Sequence, residues 1–177
     1  LYEEFVEKFF QHTLFIAGAM DRVGERHDDM WDEEDGFFYD VLRFPDGSAT
    51  RLKVRSMVGL LPLAAVAVFE DDILEKFPRF RERAQAFGKR HPELIANIHL
   101  PSLPGVANRR MLSIVSEQKL RRILARMLDE NEFFGPHGIR ALSRFHHDHP
   151  YVFRHGGQEF RVAYVPGDSD SGMFGGN

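Results

Sequence analysis

"MVGLLPLAAVAVF", Met57 to Phe69, is the stretch on which the fold turns. It carries no polar side chain, so a helix built from it would have no face for water and would need cover on every side. A membrane span needs roughly 18 to 20 consecutive apolar residues, and this run falls short of that. It therefore reads as a core helix. After it come Asp71 and Asp72, residue types that favour a helix N-cap. Ile73, Phe77, Phe80, Ala84 and Phe87 then recur at helical spacing while Arg79, Arg81, Glu82 and Arg83 take the other sides. Pro78 would kink this second helix or restart it. A fully apolar helix followed by a half-exposed one predicts a double layer of helices, an inner ring covered by an outer one.

Upstream, Val6, Phe9, Phe10, Thr13, Ile16, Ala17 and Met20 mark an amphipathic helix over residues 1 to about 24. "GFFYDVLRFPDGSATRLKV" places aromatic and β-branched residues on both sides of Pro45-Asp46-Gly47, which predicts a hairpin. Downstream, Leu120, Ile123, Leu124, Met127 and Leu128 form the apolar stripe of a third helix that begins near Ser116. In "YVFRHGGQEFRVAYV" a second hairpin turns at Gly156-Gly157. There is no internal repeat or low-complexity tract.

The chain has 177 residues, with 23 Lys and Arg against 27 Asp and Glu, for a net charge of −4. That size suits one domain, and no overall basic field exists to hold a nucleic acid. Cysteine is absent, which excludes disulfides, thiolate nucleophiles and Cys-ligated zinc and fits a reducing compartment. No charged segment followed by an apolar leader and a cleavage site opens the chain. The expectation is cytoplasmic, with no membrane partner and no cofactor. The first residue is Leu1, and the last stretch, "GDSDSGMFGGN", is a polar, glycine-rich loop suited to close approach to a ligand. Both ends read as cuts within one partial domain.

Two clusters carry candidate chemistry. "WDEEDGFFYD" sets Asp32, Glu33, Glu34, Asp35 and Asp40 among Trp31, Phe37, Phe38 and Tyr39. Carboxylates beside aromatic rings suit sugar recognition, since rings stack on pyranose C–H faces and carboxylates accept from hydroxyls. The plainer reading is a solvated acidic loop before a hairpin. "HHDH", His146 to His149, is the densest imidazole group, and a metal-dependent hydrolase would use His146, Asp148 and His149. Adjacent positions point different ways, however, and a hydrogen-bonded or solvated role outweighs a metal site. The arginines at 79, 81, 83, 109, 110, 121, 122 and 126 read as solvated faces rather than a phosphate-binding strip.

Four segments in order, "WDEEDGFFYD" (31–40), "LKVRSMVGLLPL" (52–63), "GIRALSRFHHDHPYVF" (138–153) and "DSDSGMFGGN" (168–177), resemble bacterial proteins related to glycoside hydrolase family 63 and the mannosylglycerate-hydrolase-like enzymes. The resemblance covers most of the chain and is weakest across 71–116. It implies a mainly α fold, part of an (α/α)6 toroid with small β-hairpins in the loops at one end. It also implies an inverting glycosidase acting on α-glucosidic or α-mannosidic bonds. In such enzymes one carboxylic acid protonates the glycosidic oxygen while another carboxylate activates water, roughly 6.5–9.5 Å away. In family order the acid lies before residue 1 and the base after residue 177, so no catalytic residue maps onto this chain.

What the resemblance leaves to this chain is pocket wall. The expected substrate contacts are Trp31, Asp35 and Tyr39 at the first hairpin and Asp170, Ser171, Gly172, Phe174 and Asn177 in the final loop. A structural role competes with this, in which Trp31 and Phe174 pack and Asp35 caps or pairs with Arg51 or Arg55. The alternative function is a non-catalytic helical module that binds a carbohydrate or a protein.

Overall fold

The structure is a computed structural model, and it describes residues 2–21, 29–70, 72–96, 98 and 105–169. In chain order its helices are α1 (Tyr2–Asp21), α2 (Ile73–Lys76), α3 (Pro78–Arg90), α4 (Pro92–Ile95) and α5 (Glu117–Met127). Its strands are β1 (Trp31–Asp32), β2 (Phe37–Phe38), β3 (Asp40–Arg43), β4 (Ala49–Leu52), β5 (Val66–Glu70), β6 (Arg109–Ser113), β7 (Phe134–Gly135), β8 (Gly138–Ile139), β9 (Tyr151–His155), β10 (Gln158–Val162), β11 (Tyr164–Val165) and β12 (Asp168–Ser169). Consecutive strands pair two by two, all antiparallel. Short 3₁₀ segments run over Met57–Ala64, Val106–Asn108 and Arg144–His147.

This is not a mainly α toroid, and the decisive stretch shows why. Met57–Ala64 is a 3₁₀ helix with Pro62 inside it, and Val66–Glu70 is a strand that pairs with β6 from Val66↔Ser113 to Glu70↔Arg109. Pro62 has no N–H to donate and its ring crowds the preceding turn, while β-branched Val66 and Val68 favour extended backbone. The run also lacks the all-round cover expected of a core helix: Met57, Val58, Leu61, Val66 and Val68 are exposed. Its uniform hydrophobicity reflects two short elements of different type.

The chain divides into two compact units, residues 1–27 with 62–118, and 28–61 with 119–177. In the first, α1 packs on α3 through edge-to-face pairs, Phe10 with Phe80 (centroids 5.5 Å apart) and Phe15 with Phe87 (5.8 Å). Arg83 adds an ion pair to Glu7 at 2.7 Å. The helix expected after Asp72 does restart at Pro78, which takes the first helical position, where a missing N–H costs nothing. Leu14, Ala17, Phe87, Ile114 and Val115 are the unit's buried apolar residues, with Ile98.

The second unit is a set of hairpins around one helix. Both predicted hairpins are present: β3 pairs with β4 around Pro45-Asp46-Gly47, and β9 pairs with β10. Gly156 and Gly157 both lie at positive φ (58° and 78°), as a two-residue primed turn requires. Phe37 and Phe133, both fully buried, stack at 5.6 Å. Gly59 makes room for Phe37, because a Cβ there would stand 2.3 Å from Phe37 Cε1 and 2.4 Å from the Phe38 carbonyl oxygen. Ile123 on α5 is fully buried, so the stripe of the third helix does face inward, although Leu128 at its end is exposed. No described helix is long and apolar enough to cross a membrane.

Candidate functional site

The acidic segment 31–40 folds as the β1–β2 hairpin, and the bend between its strands holds the site. The Asp35 N–H donates to Asp32 Oδ1 (2.8 Å) and the Gly36 N–H donates to the Asp32 carbonyl (2.8 Å), which closes the turn. Glu33 and Glu34 are exposed, as a solvated loop would have them, but Asp32 is buried and Asp35 half-buried.

The second half of the site comes from residues 51–55, where Arg51, Lys53 and Arg55 alternate along extended chain and reach the same carboxylates. Arg51 Nη1 donates to Asp32 Oδ2 (2.8 Å), and Lys53 Nζ bridges Asp32 Oδ2 (2.9 Å) and Asp35 Oδ2 (3.1 Å). Arg55 Nη2 takes the other Asp35 oxygen at 2.9 Å, its Nη1 takes Glu132 Oε1 at 2.6 Å, and its Nε donates to the Tyr39 hydroxyl at 3.3 Å. The guanidinium lies 3.8 Å above the Phe145 ring centroid, a desolvated cation–π contact.

Arg126 on α5 closes a ring. It donates to Glu132 Oε1 and, through Nε at 2.7 Å and Nη2, to the Asp35 carbonyl oxygen. Asp35, Arg55, Glu132 and Arg126 thus form a closed cycle of charge-assisted hydrogen bonds with two charges of each sign. Ser143 Oγ donates to the second Glu132 oxygen. Reading the arginines as solvated faces fails at Arg126, and Glu132 carries no signal in the sequence that separates it from its acidic neighbours.

The electrostatics follow from these partners. Burial pushes the Asp35 carboxyl up, but hydrogen bonds from Lys53 and Arg55 outweigh it and hold the group below the ordinary aspartate value. Asp32 behaves alike: burial opposes, while the Asp35 N–H, Lys53 and Arg51 lower it further. Both are therefore ionised at neutral pH and can accept hydrogen bonds but not deliver a proton. Tyr39 is pushed up to about 12, first by burial and then by the adjacent Asp35 charge, with Arg55 opposing, so it stays a phenol.

The expected contact residues divide. Trp31 and Tyr39 are buried, at 7% and 2% exposure, and do not offer a stacking surface. Trp31 Nε1–H donates to Glu33 Oε2 (2.6 Å), Phe38 meets its ring edge-on at 4.9 Å, and Lys119 Nζ and Arg122 Cζ lie 5.1 and 5.4 Å from its centroid. These rings are the packed base of the site because their faces are taken by protein. Asp35 differs: its side chain keeps 19% exposure beside a Lys53 side chain at 41%. Asp170, Ser171, Gly172, Phe174 and Asn177 lie outside the described residues.

The histidine cluster does not converge. His146 is fully buried with both ring nitrogens engaged, Nε2 by the Arg55 N–H (2.8 Å) and Nδ1 by the His149 carbonyl (2.9 Å). Asp148 turns outward to His147, and His149 stacks on Phe145 at 4.5 Å. Among the described residues no three His, Asp or Glu side chains are grouped to hold a metal ion.

Compared with known proteins, the whole chain aligns at 41% identity over 189 residues with an uncharacterized protein of Saccharomyces cerevisiae. The chain spans 17% of that relative's length. No protein-family profile and no solved structure matches the chain.

Proposed function

We propose that this chain supplies a carbohydrate-binding wall to an inverting glycoside hydrolase that cleaves α-glucosidic or α-mannosidic bonds, with the catalytic acid and base contributed from outside it. The observation that carries the reading is the Asp35–Lys53 pair. It sets a fixed anionic acceptor, whose Oδ2 also takes the Tyr39 hydroxyl at 3.1 Å, beside a cationic donor at the surface of unit two, anchored by Arg55 and Arg126. Two neighbouring sugar hydroxyls can use that combination, one donating to the carboxylate and one accepting from the ammonium. The segment resemblance supports the reaction class, and the lowered Asp35 pKa supports a binding role over an acid role.

The test is binding and hydrolysis of methyl α-glucoside, methyl α-mannoside and the corresponding disaccharides by the 177-residue chain. Binding without turnover, lost in Asp35→Asn and in Lys53→Met, is the expected result. Absence of binding to every sugar in the set would overturn the reading, and turnover by this chain would place the acid and base inside it.

A further inference from the structure

We infer that His146 is a positioning residue for the Asp35–Lys53 pair, acting through the main chain of Arg55 in one neutral tautomer. The inference rests on the carbohydrate reading only for its consequence in ligand binding; its structural part does not need a sugar.

The tautomer follows from the partners. A carbonyl oxygen can only accept, so His146 Nδ1 carries the proton and donates to His149. A backbone N–H can only donate, so Nε2 presents its lone pair to Arg55. The same segment takes the other side of that residue, since the Arg55 carbonyl accepts from the Ser143 N–H at 2.8 Å. Ser56 and Leu142 are bridged next to it. Both polar groups of the Arg55 backbone are thus fixed on residues 143–146, and the guanidinium projects from that anchor to Asp35, Glu132 and Tyr39. His146 touches neither Asp35 nor Lys53, and its influence runs through where Arg55 stands.

Amide side chains separate this role from simple space filling. A Gln side chain can bring an oxygen to the place of Nε2, whereas Asn reaches only the place of Nδ1. In uniformly labelled chain, nitrogen NMR of His146 should show Nδ1 protonated and Nε2 bare at pH 7.5. Amide exchange at Arg55 should rise about tenfold or more in His146→Asn and His146→Leu, as expected for losing one buried hydrogen bond, and stay near wild type in His146→Gln. The Arg55 Nε–H resonance should move in Asn and Leu but not in Gln, while the Trp31 indole N–H, bonded to Glu33, reports an intact hairpin.

A protonated Nε2 in the wild-type chain, or equal Arg55 behaviour in Gln and Asn, would overturn the inference; the first measurement needs no variant to fold. Methyl α-glucoside and methyl α-mannoside are then titrated into wild type, His146→Gln and His146→Leu. A sugar bound by the wild type should bind at least threefold more weakly in Leu and within threefold of wild type in Gln; equal binding in all three chains would overturn the linkage to the pair. Arg55 responses as described with no sugar bound leave the positioning role standing and remove the carbohydrate reading alone.

Discussion

The Arg55 N–H donates 2.8 Å to Nε2 of His146, a buried contact between residues 91 positions apart. It joins two segments that each look unremarkable in sequence, a basic strand end and a histidine run. Around it guanidinium groups pair with the carboxylates of Asp35 and Glu132, Asp35 is held ionised, and the pair exposed to solvent is left with fixed geometry.

Arg55 has the largest effect when removed. Arg55→Met takes the shared cation from buried Glu132 and half-buried Asp35 and leaves them to Arg126 and Lys53, which costs about 1.5–3 kcal/mol in urea unfolding. Arg55→Lys recovers only part of that, because one ammonium cannot reach Tyr39, Asp35 and Glu132 together. Full recovery by Lys would show that charge alone, without the planar fork, holds the cycle.

Stability depends on pH through His146. The groups facing its ring are the Arg55 guanidinium, the Glu132 carboxylate, His149 and the Phe145 ring. Burial lowers its pKa, the His149 carbonyl opposes, and the Arg55 charge adds to the lowering. The unfolded chain therefore takes up a proton that the folded one refuses, so stability rises with pH. This contribution is complete above the ordinary histidine value of 6.5 and is lost as pH falls below it. The losses from Asp32 and Asp35 come lower, below 3.8. Denaturant titrations at stepped pH should show the upper slope in wild type and not in His146→Gln.

Gly59→Ala should destabilise by about 1–3 kcal/mol, because the added methyl meets the Phe37 ring and the Phe38 carbonyl, neither of which can swing aside as a long side chain could. The signature is a lower denaturation midpoint with perturbed Phe37 resonances. A neutral substitution would mean that the 3₁₀ segment sits farther from the hairpin.

Along α1, Tyr2, Phe5, Phe9 and Ile16 are exposed at 83%, 51%, 65% and 57%, on the side away from Leu14 and Ala17. A stripe of this kind predicts concentration-dependent association of the chain on its own. Sedimentation velocity should detect species above the monomer, and Phe5→Glu with Phe9→Glu should return it to monomer with little loss of stability. A wild-type monomer at every concentration would contradict this.

Local signals were legible in the sequence where one element owned them. The helical character of α1, the restart at Pro78, the Pro45-Asp46-Gly47 hairpin and the Gly156-Gly157 turn all rest on periodicity or turn chemistry within a few residues. The buried side of α1 departs from the expected stripe, since Val6, Phe9 and Ile16 are exposed and Leu14 is buried. The run from Met57 to Phe69 misled because hydrophobicity alone does not distinguish a buried helix from a 3₁₀ turn followed by a strand, and Gly59, Pro62 and the valines carried the distinguishing information. At the site, Asp35 with Arg55 was within reach as a pairing, since both flank one hairpin. Glu132, Arg126 and His146 were not, because their roles arise from contacts 77 to 91 positions apart that no local pattern encodes.

The central claim is that Asp35, ionised and clamped, meets a sugar together with Lys53. Its most direct test follows the carboxyl carbon of Asp35 and the ammonium of Lys53 by NMR during titration with methyl α-glucoside and methyl α-mannoside at neutral pH. The account predicts that one of these sugars shifts both signals saturably with a common affinity while Asp35 stays ionised. Signals that remain fixed at saturating concentrations of both sugars would contradict it.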